Sequence, residues 1–383
     1  MTKAIKRLNY TVEVIIFFLI LSLLADFIEK IGVINKIPLP KFNKYLKLFF
    51  LIYSLLIIST YKFKNKSIRY VFLFIPICFF FIFFIKTYYI RQIPALIRNF
   101  FLIGIIPFFY IIKEHNLEKL KEKTYSILKI IIGINFLIII IGMIFDIQLF
   151  RTYYINRIRF GFNGVLLNQV QPVYFYTSLL FIFYKRSIFF LLLTFLCGLM
   201  LGTKALYIIM CLFSIFIAFN SYKENKRRVV TIVIVSIMLL IIVFYFLFFS
   251  KLFAEIILKD GFFTAFFSYR NVYLIQILNE INTENFNILF GTISLTDYRS
   301  EFSFIDVVLF LGIIGLVFYL MLMRNVYKFF VGNSSGKVYF ILIMLIAGFS
   351  GNFFSFPFNC FMFMLTLSCL YKKEHEKMII YNA

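Results

Sequence analysis

Twelve apolar runs separated by short polar clusters set the rhythm of the chain. They cover roughly 11–28, 46–60, 70–85, 93–112, 127–145, 165–184, 187–203, 205–220, 229–250, 303–323, 338–354 and 358–371. A helix needs about 20 apolar residues to cross about 30 Å of hydrocarbon, so the shorter runs predict spans whose ends extend into their flanks. The pattern predicts an all-α polytopic membrane protein of about twelve transmembrane helices, one transmembrane domain over residues 1–383. No internal repeat and no low-complexity linker interrupts it.

Composition strengthens this picture. The chain is 62% hydrophobic and 15% charged, with a mean hydropathy of +0.94, whereas soluble domains are about a quarter charged. A net charge of +23 does not indicate nucleic acid, because the Lys and Arg fall in short clusters between apolar runs rather than on one soluble face. Cys78, Cys197, Cys211, Cys360 and Cys369 all lie inside apolar runs, with neither disulfide nor zinc spacing. The start resembles a signal peptide, but Asp26 and Glu29 stand where small residues would mark cleavage; the expectation is a retained first helix.

The basic residues also set the orientation. With the N-terminus inside, segments 1–10, 61–69, 113–126, 185–187, 221–228, 324–337 and the C-terminal tail carry 23 Lys and Arg, against 15 spread over more chain outside. Both termini are therefore expected in the cytoplasm. The alternation is weakest at 29–47, an outer loop with five lysines. Two outer segments are long, 146–164 and 251–302, the second between spans nine and ten, and long loops tend to be functional. They are the expected active-site loops.

The first loop holds Arg151, Arg157 and Arg159, and "RFGFNG" leads into a helix bearing Asn168, Gln169 and Gln171. Guanidinium groups bind phosphate oxygens in bidentate fashion, so an anion site with Asn163 beside it is one reading. Arginines touching lipid headgroups are the other. Lys204 stands at the outer end of a span, either snorkelling or adding positive charge to that site. In the second loop, "FFSYRNVYLIQILNEI" predicts an amphipathic surface helix that starts near Tyr269 and Arg270. Arg299, Glu301 and Asp306 then sit at the mouth of the tenth span. Both histidines, His115 and His375, fall in inner segments, so a proton acceptor on the outer face would have to be a carboxylate, with Glu301 and Asp306 the candidates. An acid one turn into a helix is also favoured simply by the helix dipole.

These motifs, in this order, resemble the O-antigen and capsular polysaccharide polymerases of the Wzy type, within the O-antigen ligase superfamily. The likeness runs over about 150–325: "RFGFNGVLLNQ", then "SYRNVYLIQILNEINTENFNILFG", then "EFSFIDVVLFLGIIG" with Gly312 and Gly315 as a Gly-x-x-Gly pair. The resemblance implies a metal-independent glycosyltransferase with no cofactor, in the bacterial cytoplasmic (inner) membrane. It implies a donor glycan on undecaprenyl pyrophosphate, an acceptor hydroxyl on a second lipid-linked repeat unit, and a chain-length regulator protein as partner. Arg159 and Arg270 would hold the pyrophosphate and Glu301 would take the proton of the attacking hydroxyl, with Asp306 reaching toward the same cavity. Arg157, Asn163, Asn168, Gln169, Lys204, Tyr269 and Arg299 would line the substrate. Ligases of the superfamily carry a histidine about eleven residues before the Gly-x-x-Gly; here that place is near Glu301, a departure that favours the polymerase. The rival readings are an O-antigen ligase and a lipid-linked oligosaccharide flippase. The flippase would need charge along a path through the bilayer, and near the span cores the sequence offers chiefly Arg98, Lys129 and Glu13.

Overall fold

The computed structural model describes residues 10–39, 42–61, 93–153, 160–166, 171–221, 251–281, 287–291, 300–350 and 353–372, and six positions between 230 and 245. The regular elements among the described residues are helical: α1 (Thr11–Asn35), α2 (Phe42–Thr60), α3 (Ile93–His115), α4 (Leu117–Ile144), α5 (Gln171–Phe183), α6 (Ile188–Met200), α7 (Lys204–Ser221), α8 (Lys251–Phe267), α9 (Arg270–Ile281), α10 (Ser303–Phe330), α11 (Ser334–Ser350) and α12 (Pro357–Leu370). A single β-bridge, Arg151 to Phe162, is the one extended pairing among them. By length and composition α1, α2, α4 and α10 can each cross a membrane, and α6, α7, α11 and α12 are shorter apolar helices. The chain is thus a helical, multi-pass membrane protein.

Several boundaries differ from the apolar runs. The first run ends at 28, but α1 continues to Asn35, so Lys30 lies within a helix. Within the run over 165–184, the described helix is Gln171–Phe183, and Val165 lies in a turn. The segment 251–302 contains two helices, α8 and α9. The run over 70–85 lies outside the described residues. The run over 229–250 is described only at Val230, Ile234, Ile237, Met238, Ile241 and Tyr245, all helical.

The chain forms two compact units. One comprises Met1–Ser22, Lys41–Ser126 and Arg270–Ala383; the other comprises Leu23–Pro40 and Ile127–Tyr269. Each is built around a helix apolar on all sides, the signature of complete burial. In the first unit that helix is α12, buried from Pro357 to Cys369 and packed on α3 and α11. Its Phe361 meets Phe18 and Phe50, with ring centroids 4.8 and 5.5 Å away. In the second unit it is α5, buried at every residue and packed on α6 and α7. Thr177 and Ser178 of α5 satisfy their hydroxyls on the carbonyls of Val173 and Tyr174, which lets polar residues sit in an apolar core.

Within the first unit, polar residues at several helix ends contact one another. Glu13 pairs with Lys119 and Lys123, both at 2.8 Å. Lys113 donates to the Phe329 carbonyl and lies 3.9 Å from the Tyr371 ring centroid. Tyr61 donates to Glu114 at 2.7 Å and touches His115; burial, then the Glu114 carboxylate, raise its phenol above the ordinary range. At the opposite end of α10, the N–H of Phe353 donates to Ser303 Oγ at 2.9 Å.

Candidate functional site

In the first unit, the start of α9 and the approach to α10 bring two of the expected residues together. Ile277 of α9 is buried against Leu309 and Ile305 of α10. Past α9, Asn287 builds a tight turn: its Oδ1 accepts the N–H groups of Leu289 and Phe290 at 3.0 and 3.2 Å, and its carbonyl accepts that of Gly291 at 2.6 Å. The turn plugs into α10, where the carbonyls of Ile288 and Leu289 accept the N–H groups of Ile313 and Ile314 at 3.0 and 3.2 Å.

That docking requires a break in α10, and Gly312 makes it. Its φ of 71° and ψ of −174° fall where essentially only glycine goes. A Cβ there would stand 2.0 Å from the Leu289 oxygen. The Phe-Gly turn and the first glycine of the Gly-x-x-Gly pair thus form one joint, and two contacts fasten the α9 segment to the first half of α10.

Arg270 opens α9, and its Nε donates to Glu301 Oε2 at 2.8 Å across 31 positions of sequence. Glu301 itself has φ 60°, an uncommon conformation for a side-chain-bearing residue. Asp306 holds it there. Asp306 Oδ1 accepts both the N–H and the hydroxyl of Ser300, at 2.8 and 2.7 Å, and Ser300 Oγ accepts the N–H of Phe302 at 3.2 Å. With Asp306 7% exposed, this buried brace curls residues 300–302 so that Glu301 projects outward. The ion pair is partly exposed, at 20% for the Arg270 side chain and 43% for Glu301. Exposed pairs contribute only about 0–1 kcal/mol, while such backbone costs about 1–3 kcal/mol. Stability alone does not account for the arrangement. Chemically, Arg270 spends only Nε on the pair and Glu301 only Oε2, so both Nη groups and Oε1 remain for a ligand among the described residues.

The second unit holds a different polar centre. The loop around "RFGFNG" folds back tightly. The Asn163 and Gly164 N–H groups donate to the Phe150 carbonyl at 2.9 and 3.2 Å, Phe162 N–H donates to Met200 O at 2.7 Å, and Thr152 Oγ1 donates to Leu201 O at 2.9 Å. Gly164, at φ 62°, leaves no room for a Cβ beside Asn135, whose Oδ1 would be 2.2 Å away. Asn135 in turn receives Val165 N–H at 3.0 Å and donates to Tyr176 at 2.8 Å. Non-helical backbone like this survives among membrane helices only when protein satisfies it. The key partner is Lys30, fully buried on α1. It donates to Asn163 Oδ1 at 2.7 Å, Gly164 O at 3.0 Å and Leu166 O at 3.2 Å, three acceptors for three ammonium protons. One turn earlier on α1, Asp26 Oδ2 accepts from Gln171 at 2.9 Å. Lys30 and Asp26 are the polar groups that the sequence pattern missed.

Of the remaining expected residues in this unit, Lys204 donates to the Ala265 carbonyl at the end of α8 and lies 3.8 Å from the Phe253 ring centroid, a cation at a helix C-terminus. Tyr269 donates to Asp260 Oδ2 at 2.7 Å. Arg151 pairs with Asp146. Arg157, Arg159, Asn168, Gln169, Arg299 and His375 lie outside the described residues. The structure therefore joins Arg270, Glu301 and Asp306 in one site, and gives Asn163 to Lys30. Among the described residues no cluster of His, Cys, Asp and Glu is arranged to hold a metal ion. The chain matches no family model, no curated protein and no solved structure.

Proposed function

We propose that the chain is a polysaccharide polymerase of the Wzy type, with twelve spans, both termini in the cytoplasm, and its chemistry at the outer face of a bacterial cytoplasmic membrane. The observation that carries the reading is the Arg270–Glu301 pair, with the two Nη groups of the Arg270 guanidinium and one Glu301 carboxylate oxygen left open beside a partly exposed, strained turn. In the proposed reaction an acceptor sugar hydroxyl of one lipid-linked repeat unit attacks the anomeric carbon of a glycan on undecaprenyl pyrophosphate. The new glycosidic bond forms as the bond to the pyrophosphate oxygen breaks. The hydroxyl proton passes to Glu301 Oε1, and the departing pyrophosphate gathers charge against Arg270, a preorganised cation where charge develops. Arg159, which the resemblance pairs with Arg270, is proposed as the second pyrophosphate-binding arginine.

Asp306 takes a different part from that expected of a second acid. Buried and committed to Ser300, it is a positioning residue that keeps Glu301 in place. The test is reconstitution of the purified chain in vesicles with a lipid-linked repeat unit as its only glycan substrate. Products of two or more repeats, lost in Arg270→Ala, support the polymerase. Transfer only to a non-lipid acceptor would favour a ligase, and transbilayer movement without coupling would favour a flippase.

A further inference from the structure

The helix α8 carries its apolar surface in an unexpected place. Its inner side is packed: Phe253, Ile256 and Ala265 form a buried cluster with Ile257 and Tyr269 against it. Its tip, residues 258–263, is exposed throughout, with Leu258 at 85%, Phe263 at 72% and Phe262 at 55% exposure. Gly261 breaks the helix there, at φ 84° and ψ 166°, and turns the "LKDGFF" sequence into a knuckle. Phe262 stacks on Phe266 at 6.2 Å, and Phe266 meets Phe267 at 5.2 Å, so the knuckle is backed by rings rather than collapsing onto itself.

The height of this knuckle is set by Lys204. That residue opens the apolar helix α7 and reaches both the Ala265 carbonyl and the Phe253 ring. The knuckle is therefore fastened at the end of α7, where a span meets the headgroups. We propose that residues 258–263 form a wedge that inserts Leu258, Phe262 and Phe263 into the interfacial region of the phospholipid bilayer, at the Lys204 end of α7. This rests on α7 being a membrane span.

Lipid fits the surface better than a protein partner does. Three such side chains offer at most about 150–250 Å² each, below the roughly 800 Å² per partner of a stable protein interface. Bulky apolar groups with an adjacent Lys259 and Asp260 match a segment lying at the acyl–headgroup boundary, the lysine reaching phosphates. The hydrogen bond from Tyr269 to Asp260 braces the knuckle.

The chain contains no tryptophan, so one introduced tryptophan is a clean reporter. Phe263→Trp, Phe262→Trp and, as a span reporter, Leu212→Trp midway along α7 would each be reconstituted in phosphatidylcholine vesicles. The lipids would be brominated either near the headgroup or deep in the acyl chain. The expected result is about a twofold or greater loss of emission for Phe263→Trp and Phe262→Trp with shallow bromine, less with deep bromine, and the reverse order for Leu212→Trp. If Leu212→Trp is quenched deep while both tip variants ignore bromine and respond to aqueous iodide, α7 spans and the wedge is wrong. If the tip variants ignore both quenchers, protein covers the tip and the wedge is also wrong. If Leu212→Trp itself escapes deep bromine, the span reading of α7 falls and takes the proposal with it.

Discussion

Replacing Gly312 with alanine should undo the joint that carries the α9 segment. Its backbone lies in a region costing a non-glycine residue about 1–3 kcal/mol. The new Cβ would meet backbone atoms, Leu289 O at 2.0 Å and Phe290 N at 2.5 Å, which cannot rotate aside. Relief comes by expelling the turn, which forfeits the hydrogen bonds from Ile313 and Ile314 at about 0.5–1.5 kcal/mol each. The loss is about 2–6 kcal/mol from these two contributions. At about 2–4 °C per kcal/mol in soluble domains of 150–250 residues, melting in detergent should fall by roughly 10 °C. Cys197 and Cys360 are buried free thiols, so a thiol-reactive dye reads the transition. Gly133→Ala and Gly348→Ala are the controls, since a Cβ at either meets nothing within 4 Å; both should melt with wild type or slightly above. A Gly312→Ala chain that melts with the controls and retains activity would refute the joint.

Three other changes test separate contacts. Glu301→Gln should keep the fold and lower the transfer rate by about 100-fold or more, the range for a general base; full-length polymer at a normal rate would remove that role. Asp306→Ala should lose two hydrogen bonds to a charged acceptor, about 1.5–3 kcal/mol each, and release Glu301. Asp306→Asn, which keeps one accepting oxygen, should recover part of the activity, and a melting scan beside the rate separates positioning from folding. Lys30→Met should strand three buried acceptors at about 1–3 kcal/mol each, offset by no longer burying an ammonium; net melting should fall, and Lys30→Arg should not restore it, because a forked guanidinium does not fit a site shaped for one ammonium. A Lys30→Met chain as stable as wild type would show that the 160–166 loop holds without it.

The helical, membrane-embedded class was legible because hydropathy reports what lies against lipid or core. It could not tell the wholly buried α5 and α12 from lipid-facing helices, since both environments select apolar residues. Arg270, Glu301 and Asp306 stood out as charges beside a span, but the ion pair depends on the break at Gly312, and no periodicity encodes the Ile288 and Leu289 carbonyls docked on Ile313 and Ile314 of a later helix. Lys30 was hidden among the five lysines of 29–47. Hydropathy ends the first span before it, whereas the helix continues because the loop carbonyls satisfy its charge. Asp306 read as an acid at a helix start, which it is, and its grip on Ser300 is the part that only geometry supplies. The segment 251–267 read as loop because its charges at 255–260 interrupt the apolar pattern, although its other side is packed.

The most direct measurement is a gel of surface polysaccharide from a strain lacking this gene, complemented with wild type or with Arg270→Ala. The account predicts a ladder with wild type, and a single-repeat band both in the deletion and with Arg270→Ala. A full ladder in the deletion strain would contradict it.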